Sequence, residues 1–391
     1  MRTLIQNLQE SKIREVANAG LGRADVLPFW FGESDEVTPD FIRRAAVQSI
    51  EAGETFYSQN LGLPQLREDV AAYMSALHLP VDGARIAITS GGVNGLMLAA
   101  QALVDPGDHV VAVAPVWPNL VAQSTIMGAA VEQFPLHVHA GHWTLDLDAL
   151  CAVVTSRTRV LLIYAPNNPT GWTLTRAEQE RILAHCRTTG TWIVADEVYE
   201  RLYYETTEHG CAPSFLDIAA AQDRLVVVHS FSKSFLMTGW RLGWMVLPHD
   251  LVRHIGKLIE FNTSCAPMFV QRAAITALQR QSEVTPRIVQ HLKLCRDTLV
   301  PLLQAMPQVE VSAARGGMYA YFSLAGSGDS LATAKRLVVE AGLGLAPGAA
   351  FGLPDNQHGT SWLRWCFASR DPQRLVLGAQ RLENWLATTA S

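Results

Sequence analysis

Val227–Trp244 reads VVHSFSKSFLMTGWRLGW, and the rest of the 391-residue chain can be placed around it. The run from Leu225 to Val228 is apolar and β-branched, the mark of a short buried strand. The chain then turns small and polar and presents one lysine, Lys233, between serines. Arg241 follows eight residues later, framed by Gly239 and Gly243. A lysine in apolar surroundings has its charged form destabilised, which makes its amine a nucleophile near neutral pH. Ser230, Ser232 and Arg241 add hydroxyls and a forked cation, a donor set suited to a phosphate. The plainer account of these residues is a strand end with a solvated lysine and a structural arginine.

Composition narrows the classes. Apolar residues make up 49% and charged residues 17%, enough for a sizeable core and with no sign of disorder. A net charge of −5 argues against a broad nucleic-acid or anionic-membrane surface. No run is long and apolar enough for a membrane span, and the first twenty residues lack the apolar centre of a signal peptide. Six scattered cysteines without a C-x-x-C pair read as reduced thiols, which points to a cytoplasmic protein. His137, His139 and His142 fall in a polar turn without a partnering cysteine or an HExxH helix, so no metal site is expected.

Short strands near 86, 110, 160, 192 and 225 alternate with helical stretches. This is the pattern of an α/β unit with a mostly parallel central sheet. Thr38 is the expected N-cap of a helix running to about Ala52, with Pro39 in its first turn. Further helices are expected across about 175–188, across 249–280 with a break at 262–267, and from Thr285 to Met306. Strands at 309–311, 318–322 and 362–368 then suggest a smaller α+β unit. The expected division is an arm over 1–35, a large unit over 36–285 and a small unit over 286–391. Each polar cluster follows a strand: Ser90-Gly91-Gly92-Val93, then Trp117, then Asn168, then Asp196 with Tyr199, then Lys233. Open α/β sheets place ligands at that edge. The glycine turn at 91–92 leads into a helix, a backbone recipe for an anion, although it matches neither a Walker loop nor GxGxxG. Arg364 stands alone in the apolar stretch SWLRWCFA (Ser361–Ala368), where a buried charge needs a partner.

The pattern S-x-S-K-x7-R-x-G resembles the lysine signature of the class I/II aminotransferases, the fold-type I pyridoxal phosphate enzymes. NPTG at Asn168–Gly171, DEVY at Asp196–Tyr199 and PGAAFG at Pro347–Gly352 are similar to further family motifs in family order. FGESDEVTPDFI matches the family's GEPDFxTP stretch in part, with Ser34 for the proline and Glu36 for the aromatic. The resemblance implies pyridoxal 5'-phosphate as cofactor, bound covalently by Lys233, with Asp196 on the pyridine nitrogen. Asn168 and Tyr199 would meet the phenolic oxygen, and Trp117 would stack on the ring. Gly91, Gly92, Val93, Ser230, Ser232 and Arg241 would surround the cofactor and its phosphate. Gly32, Asn168 and Arg364 would receive the substrate carboxylate. It also implies a homodimer in which Tyr57 reaches the neighbouring subunit's phosphate.

The implied reaction moves an amino group between an amino acid and a 2-oxo acid. Relatives specific for dicarboxylates add a cation for the distal carboxylate, in one subgroup a lysine directly after the double glycine, and here that position is Val93. With Phe29, Trp30, Phe31 and Trp117 nearby, a neutral, hydrophobic or aromatic donor is expected unless another cation, such as Arg315, intervenes. The same cofactor and lysine also serve C–S lyases and decarboxylases. A regulatory cofactor-binding module is a third reading, which would carry an added DNA-binding segment and a basic face.

Overall fold

The computed structural model describes residues 1–139, 142–352 and 360–389. Seven strands form the central sheet: β1 (Ile86–Thr89), β2 (His109–Ala114), β3 (Ala130–Pro135), β4 (Thr158–Tyr164), β5 (Trp192–Asp196), β6 (Leu225–Ser230) and β7 (Gly243–Val246). Their order across the sheet is β1-β7-β6-β5-β4-β2-β3. Only β7 runs antiparallel to its neighbours, so the sheet is mostly parallel, as expected. Every residue of β1, β6 and β7 is buried, which is why they read as continuous apolar runs rather than as alternating ones.

The reversed strand matters for the site. Because β7 runs backwards, its first residue, Gly243, lies opposite both Ser230 and Thr89. The chain therefore leaves β6 at Ser230, turns through Lys233 and returns to the same edge at Arg241. A Cβ at Gly243 would stand 2.6 Å from the His229 carbonyl oxygen and 2.9 Å from the Gly92 nitrogen, so this closure admits only glycine.

Four strands make the second sheet: β8 (Val309–Val311), β9 (Tyr319–Ala325), β10 (Ala346–Pro347) and β11 (Thr360–Cys366), ordered β8-β9-β11-β10 with antiparallel neighbours. The N-terminal stretch joins this side. Leu27–Pro28 pairs in parallel with Leu343–Gly344, and the Phe29 carbonyl accepts the Cys366 N–H at 3.0 Å. This seam lays residues 30–32 beside the strand that carries Arg364.

Three local expectations need correction. Thr38 does not cap a helix: the helix is Asp40–Glu51, with Pro39 at its N-cap. The buried Thr38 hydroxyl instead donates to the Leu236 carbonyl at 2.5 Å and accepts from the Trp240 indole at 3.0 Å, holding the loop that follows Lys233. The long helix spans Gln281–Gln304, starting four residues before the expected Thr285, with Pro286 and Pro301 inside it. His137–His139 and His142–Thr144 form a two-stranded ribbon rather than a turn. Among the described residues, the one trio of potential metal-ligand side chains close together lies elsewhere, at Glu197, Glu200 and His229. All three are buried, and the two carboxylates already accept from Ser214, from the Phe215 N–H and from His78. Among the described residues no helix is long and apolar enough to cross a membrane.

Candidate active site

A cavity of about 720 Å³ opens at the C-terminal edge of the parallel strands. It brings together the ends of β4, β5 and β6, the segments that follow β1 and β2, the N-terminal stretch and the small sheet. Lys233 leaves β6 in a single helical turn, Phe231–Ser234, and its Nζ donates to the Gly32 carbonyl at 2.5 Å. Burial, helped by the Arg364 and Arg241 charges, pulls the amine down to about 8, against the opposing pull of Cys366 and Glu33. A nucleophile that is partly neutral near physiological pH is the result.

Beside it lies a cradle of donors. Ser230 Oγ donates to Ser232 Oγ at 2.9 Å, and Arg241 reaches Ser232 Oγ at 3.5 Å and the Thr238 carbonyl at 2.6 Å. Gly91 does not itself line the cavity. Its φ of +93° is open to glycine, and an added Cβ would stand 2.5 Å from the Arg241 guanidinium, so the turn and the arginine pack as one unit. Arg241 holds a left-handed φ of 54°, which costs a non-glycine residue about 1–2 kcal/mol. Gly92 and Val93 begin the helix Gly92–Leu103 and line the cavity. The set can hold a dianionic phosphate.

Two buried charges of opposite sign face the same space. Asp196 ends β5 with 1% exposure, and among the described residues its carboxylate accepts only the Val198 N–H, at 3.3 Å. Burial pushes this carboxyl up to about 7, with the Val198 N–H and the Lys233 charge pulling the other way. Arg364, 2% exposed, gives Nη1 to Asn168 Oδ1 at 2.8 Å and Nη2 to the Trp30 carbonyl at 2.5 Å, while its Nε has no partner. Among the described residues no carboxylate pairs with it, so the internal salt bridge that would otherwise explain a buried arginine is not formed. Its guanidinium lies 4.4 Å from the centre of the Tyr319 ring and 5.0 Å from that of Phe351.

Aromatic side chains complete the walls. Trp117, at the N-terminus of the helix Pro118–Met127, lines the cavity and meets the Tyr164 ring edge-on at 6.5 Å. Tyr199 stacks on Tyr164 at 5.8 Å, and its hydroxyl lies 2.5 Å from that of Tyr319. Tyr164, Tyr319 and Arg14 escaped the sequence reading. Tyr319 lies in a strand that the sequence shows, but its place beside Arg364 follows from the pairing of that strand with the arginine-bearing one, which only the fold shows. Arg14 had none, because its helix lies far from every motif. Tyr57 is the predicted residue that the single chain does not bring in: it is 86% exposed and away from the cavity.

The residues present fit a group that is anionic at one point and cationic at another. A buried carboxylate without a countercharge suits a protonated ring nitrogen, the serine–arginine cradle suits a phosphate, and the lysine suits an aldehyde carbon. Pyridoxal phosphate has these three features.

Comparison with known proteins agrees. The family model described as aminotransferase class I and II matches residues 25–382. An aspartate aminotransferase of Pyrococcus horikoshii is 30% identical over 385 residues, covering 97% of this chain and 95% of its own length. An arginine–pyruvate transaminase of Pseudomonas aeruginosa is 31% identical over 330 residues, covering 84% and 83%. The crystal structure of an aspartate aminotransferase from Thermotoga maritima superposes with a TM-score of 0.90 at 28% identity, covering 99% of this chain and all (100%) of that one. With motifs, sheet order and cavity in accord, the chain belongs to the class I and II aminotransferase family of fold-type I pyridoxal phosphate proteins.

Proposed function

We propose that this protein is a pyridoxal phosphate-dependent aminotransferase that moves an amino group between an amino acid and a 2-oxo acid. The observation that carries the reading is the pair of unmatched buried charges, Asp196 and Arg364, in one cavity with Lys233. Burying either charge is unfavourable unless a counterion arrives with a ligand. A cofactor nitrogen supplies one and a substrate α-carboxylate the other. Residues 36–285 would form the cofactor-binding unit, with 1–35 and 286–391 closing over it.

Bound at this site, the cofactor supplies an electron sink for the pair left when a substrate Cα proton departs. The chain's own residues do the remainder. Arg364 grips the α-carboxylate with its fork and so orients the Cα–H bond. Lys233 would anchor the cofactor, and its amine, with the Gly32 carbonyl as neighbour, would carry the Cα proton away and return it. Asp196 would keep the ring nitrogen protonated. Asn168 and Tyr199 would hold the phenolic oxygen, Trp117 would stack on the ring, and Ser230, Ser232, Arg241 and the turn at Gly91, Gly92 and Val93 would anchor the phosphate. Phe56, Tyr57 and Phe261, each at least 80% exposed, support a homodimer in which Tyr57 completes the neighbouring phosphate site. Sedimentation of the loaded protein as a monomer would remove that part of the reading.

On substrate, Ile13, Phe31, Val93 and Trp117 give the cavity apolar surface, which supports a neutral, hydrophobic or aromatic donor. Arg315 is no obstacle, since Glu205 pairs with it at 2.5 Å and 2.7 Å and it does not line the cavity. One observation favours a second reading. Arg14 lines the same cavity, 5.9 Å from the centre of the Phe31 ring and without an ion-pair partner among the described residues, and would suit a substrate with an acidic side chain. Arg14→Gln is expected to lower kcat/KM for a dicarboxylic 2-oxo acid about tenfold relative to that for a monocarboxylic one. An unchanged ratio would leave the neutral-donor reading alone.

The test of the function is the absorption spectrum of the loaded protein, recorded with single amino acids and no 2-oxo acid. Conversion of the lysine-bound cofactor band to the amine form, reversed by a 2-oxo acid, is the expected result. Pyruvate and ammonia appearing with the band unchanged would instead make it a C–S lyase.

A further inference from the structure

We propose that Tyr319 is a positioning residue, one side chain that sets both the hydroxyl of Tyr199 and the guanidinium of Arg364. The inference rests on the aminotransferase reading and goes beyond it, since neither the motifs nor the roles given above use this tyrosine.

The geometry comes from register. Tyr319 pairs with Cys366 and Tyr321 with Arg364 across β9 and β11, so Tyr319 and Arg364 are diagonal neighbours on one face of the small sheet. From there the 1%-exposed Tyr319 crosses to the central sheet, where its hydroxyl lies 2.5 Å from that of Tyr199 and the rings meet edge-on at 5.8 Å. Its π face lies under the Arg364 guanidinium, the position a ring quadrupole favours for a cation. Its oxygen also fills the space beside Gly32, where an added Cβ would stand 2.0 Å away. The Gly32 carbonyl is the partner of Lys233. One tyrosine thus touches the supports of the amine, of the carboxylate grip and of the phenolic-oxygen donor.

A phenol has one proton to give and two lone pairs to accept with. When Tyr319 donates to Tyr199, the Tyr199 proton is left to point into the cavity, and the chained bond makes it a stronger donor there. Removing the Tyr319 hydroxyl breaks that chained bond and weakens the donor. A weaker donor stabilises the deprotonated, phenolate-bearing form of the lysine–cofactor pair less, so the pair should hold its proton to higher pH. A carboxylate on Arg364 changes the charge above the same ring, so occupancy of the substrate end should be felt at the cofactor end.

The test compares wild type, Tyr319→Phe, Tyr199→Phe and the double variant, each loaded with pyridoxal phosphate. The pH midpoint of the lysine-bound cofactor band is read with and without 3-phenylpropionate as an unreactive carboxylate. In Tyr319→Phe the midpoint should rise by about half a pH unit, roughly threefold in proton affinity, and the carboxylate-induced shift should shrink, with the melting temperature little changed. In the Tyr199→Phe background the same substitution should move the midpoint no further. A midpoint and carboxylate shift equal to wild type in Tyr319→Phe overturns the proposal, as does an equal rise in both backgrounds. If Tyr319→Phe does not fold, the wild type and Tyr199→Phe decide: an unaltered carboxylate-induced shift in Tyr199→Phe overturns the coupling. A wild type that forms no band overturns this proposal together with the aminotransferase reading, whereas a normal wild-type band with unresponsive variants overturns this one alone.

Discussion

Lys233→Ala is expected to lower kcat by at least about 10⁴-fold while the fold is kept, because one amine serves both as covalent anchor and as proton carrier. Lys233 stands in a cavity, held by one hydrogen bond to the Gly32 carbonyl, with no ion pair among the described residues. Nothing in the packing of β6 depends on its charge, and burial already pulls the amine down to about 8. Replacing it removes a desolvated group, so the melting temperature of the cofactor-free chain should hold or rise. Borohydride reduction of the loaded wild type should mark the peptide that contains residue 233, and the variant should stay unmarked. A variant that keeps a tenth of the activity, or a wild type marked at another lysine, would show that the amine lies elsewhere. The loss of activity would also set the protein apart from a dimerisation scaffold, which has no need of a reactive amine.

The fold was legible because its evidence is local. Runs such as Leu225–Val228 and Val110–Ala114 are continuous and apolar, and each ends in turn chemistry, so strand ends and the ligand-binding edge could be read together. Strands β3 and β7 were not read. In β3 most residues are at least partly exposed, and β7 is short and follows a 3₁₀ turn at Thr238–Trp240. Thr38 was misread because an N-cap signal is local whereas its actual partners, Leu236 and Trp240, lie some two hundred residues away. Tyr319 and Arg14 escaped for the same reason. Their meaning depends on what stands across the cavity, and only the packing of the N-terminal stretch and the small sheet against the central sheet supplies that. Arg364 was different, since a single charge in an apolar strand announces a missing partner before any partner is known.

Asp196→Asn should have opposite effects on stability and activity, and the sign depends on pH. The carboxyl is pushed up to about 7 by burial, outweighing the Val198 N–H and the Lys233 charge. An unfolded aspartate titrates near ~4. Between those values the folded chain holds a proton that the unfolded chain has lost. The stability from this group is therefore complete below pH ~4 and is lost as pH rises through about 7. At pH 8 the cofactor-free wild type carries a buried, unmatched carboxylate, and asparagine relieves it. Its melting temperature should exceed wild type there, by about 2–4 °C for each kcal/mol relieved, and the gap should close at pH 5. With pyridoxal phosphate bound, the order reverses. The ring nitrogen then provides the counterion, and asparagine cannot hold it protonated, so kcat should fall by about 10²–10⁴-fold and the cofactor should dissociate more readily. An asparagine variant no more stable than wild type at pH 8, yet fully active, would mean that Asp196 is matched by a group of the chain itself. The combination of a gain in the empty protein and a loss in the loaded one is the signature of a charge buried for a ligand, because a residue serving only the fold would lose in both.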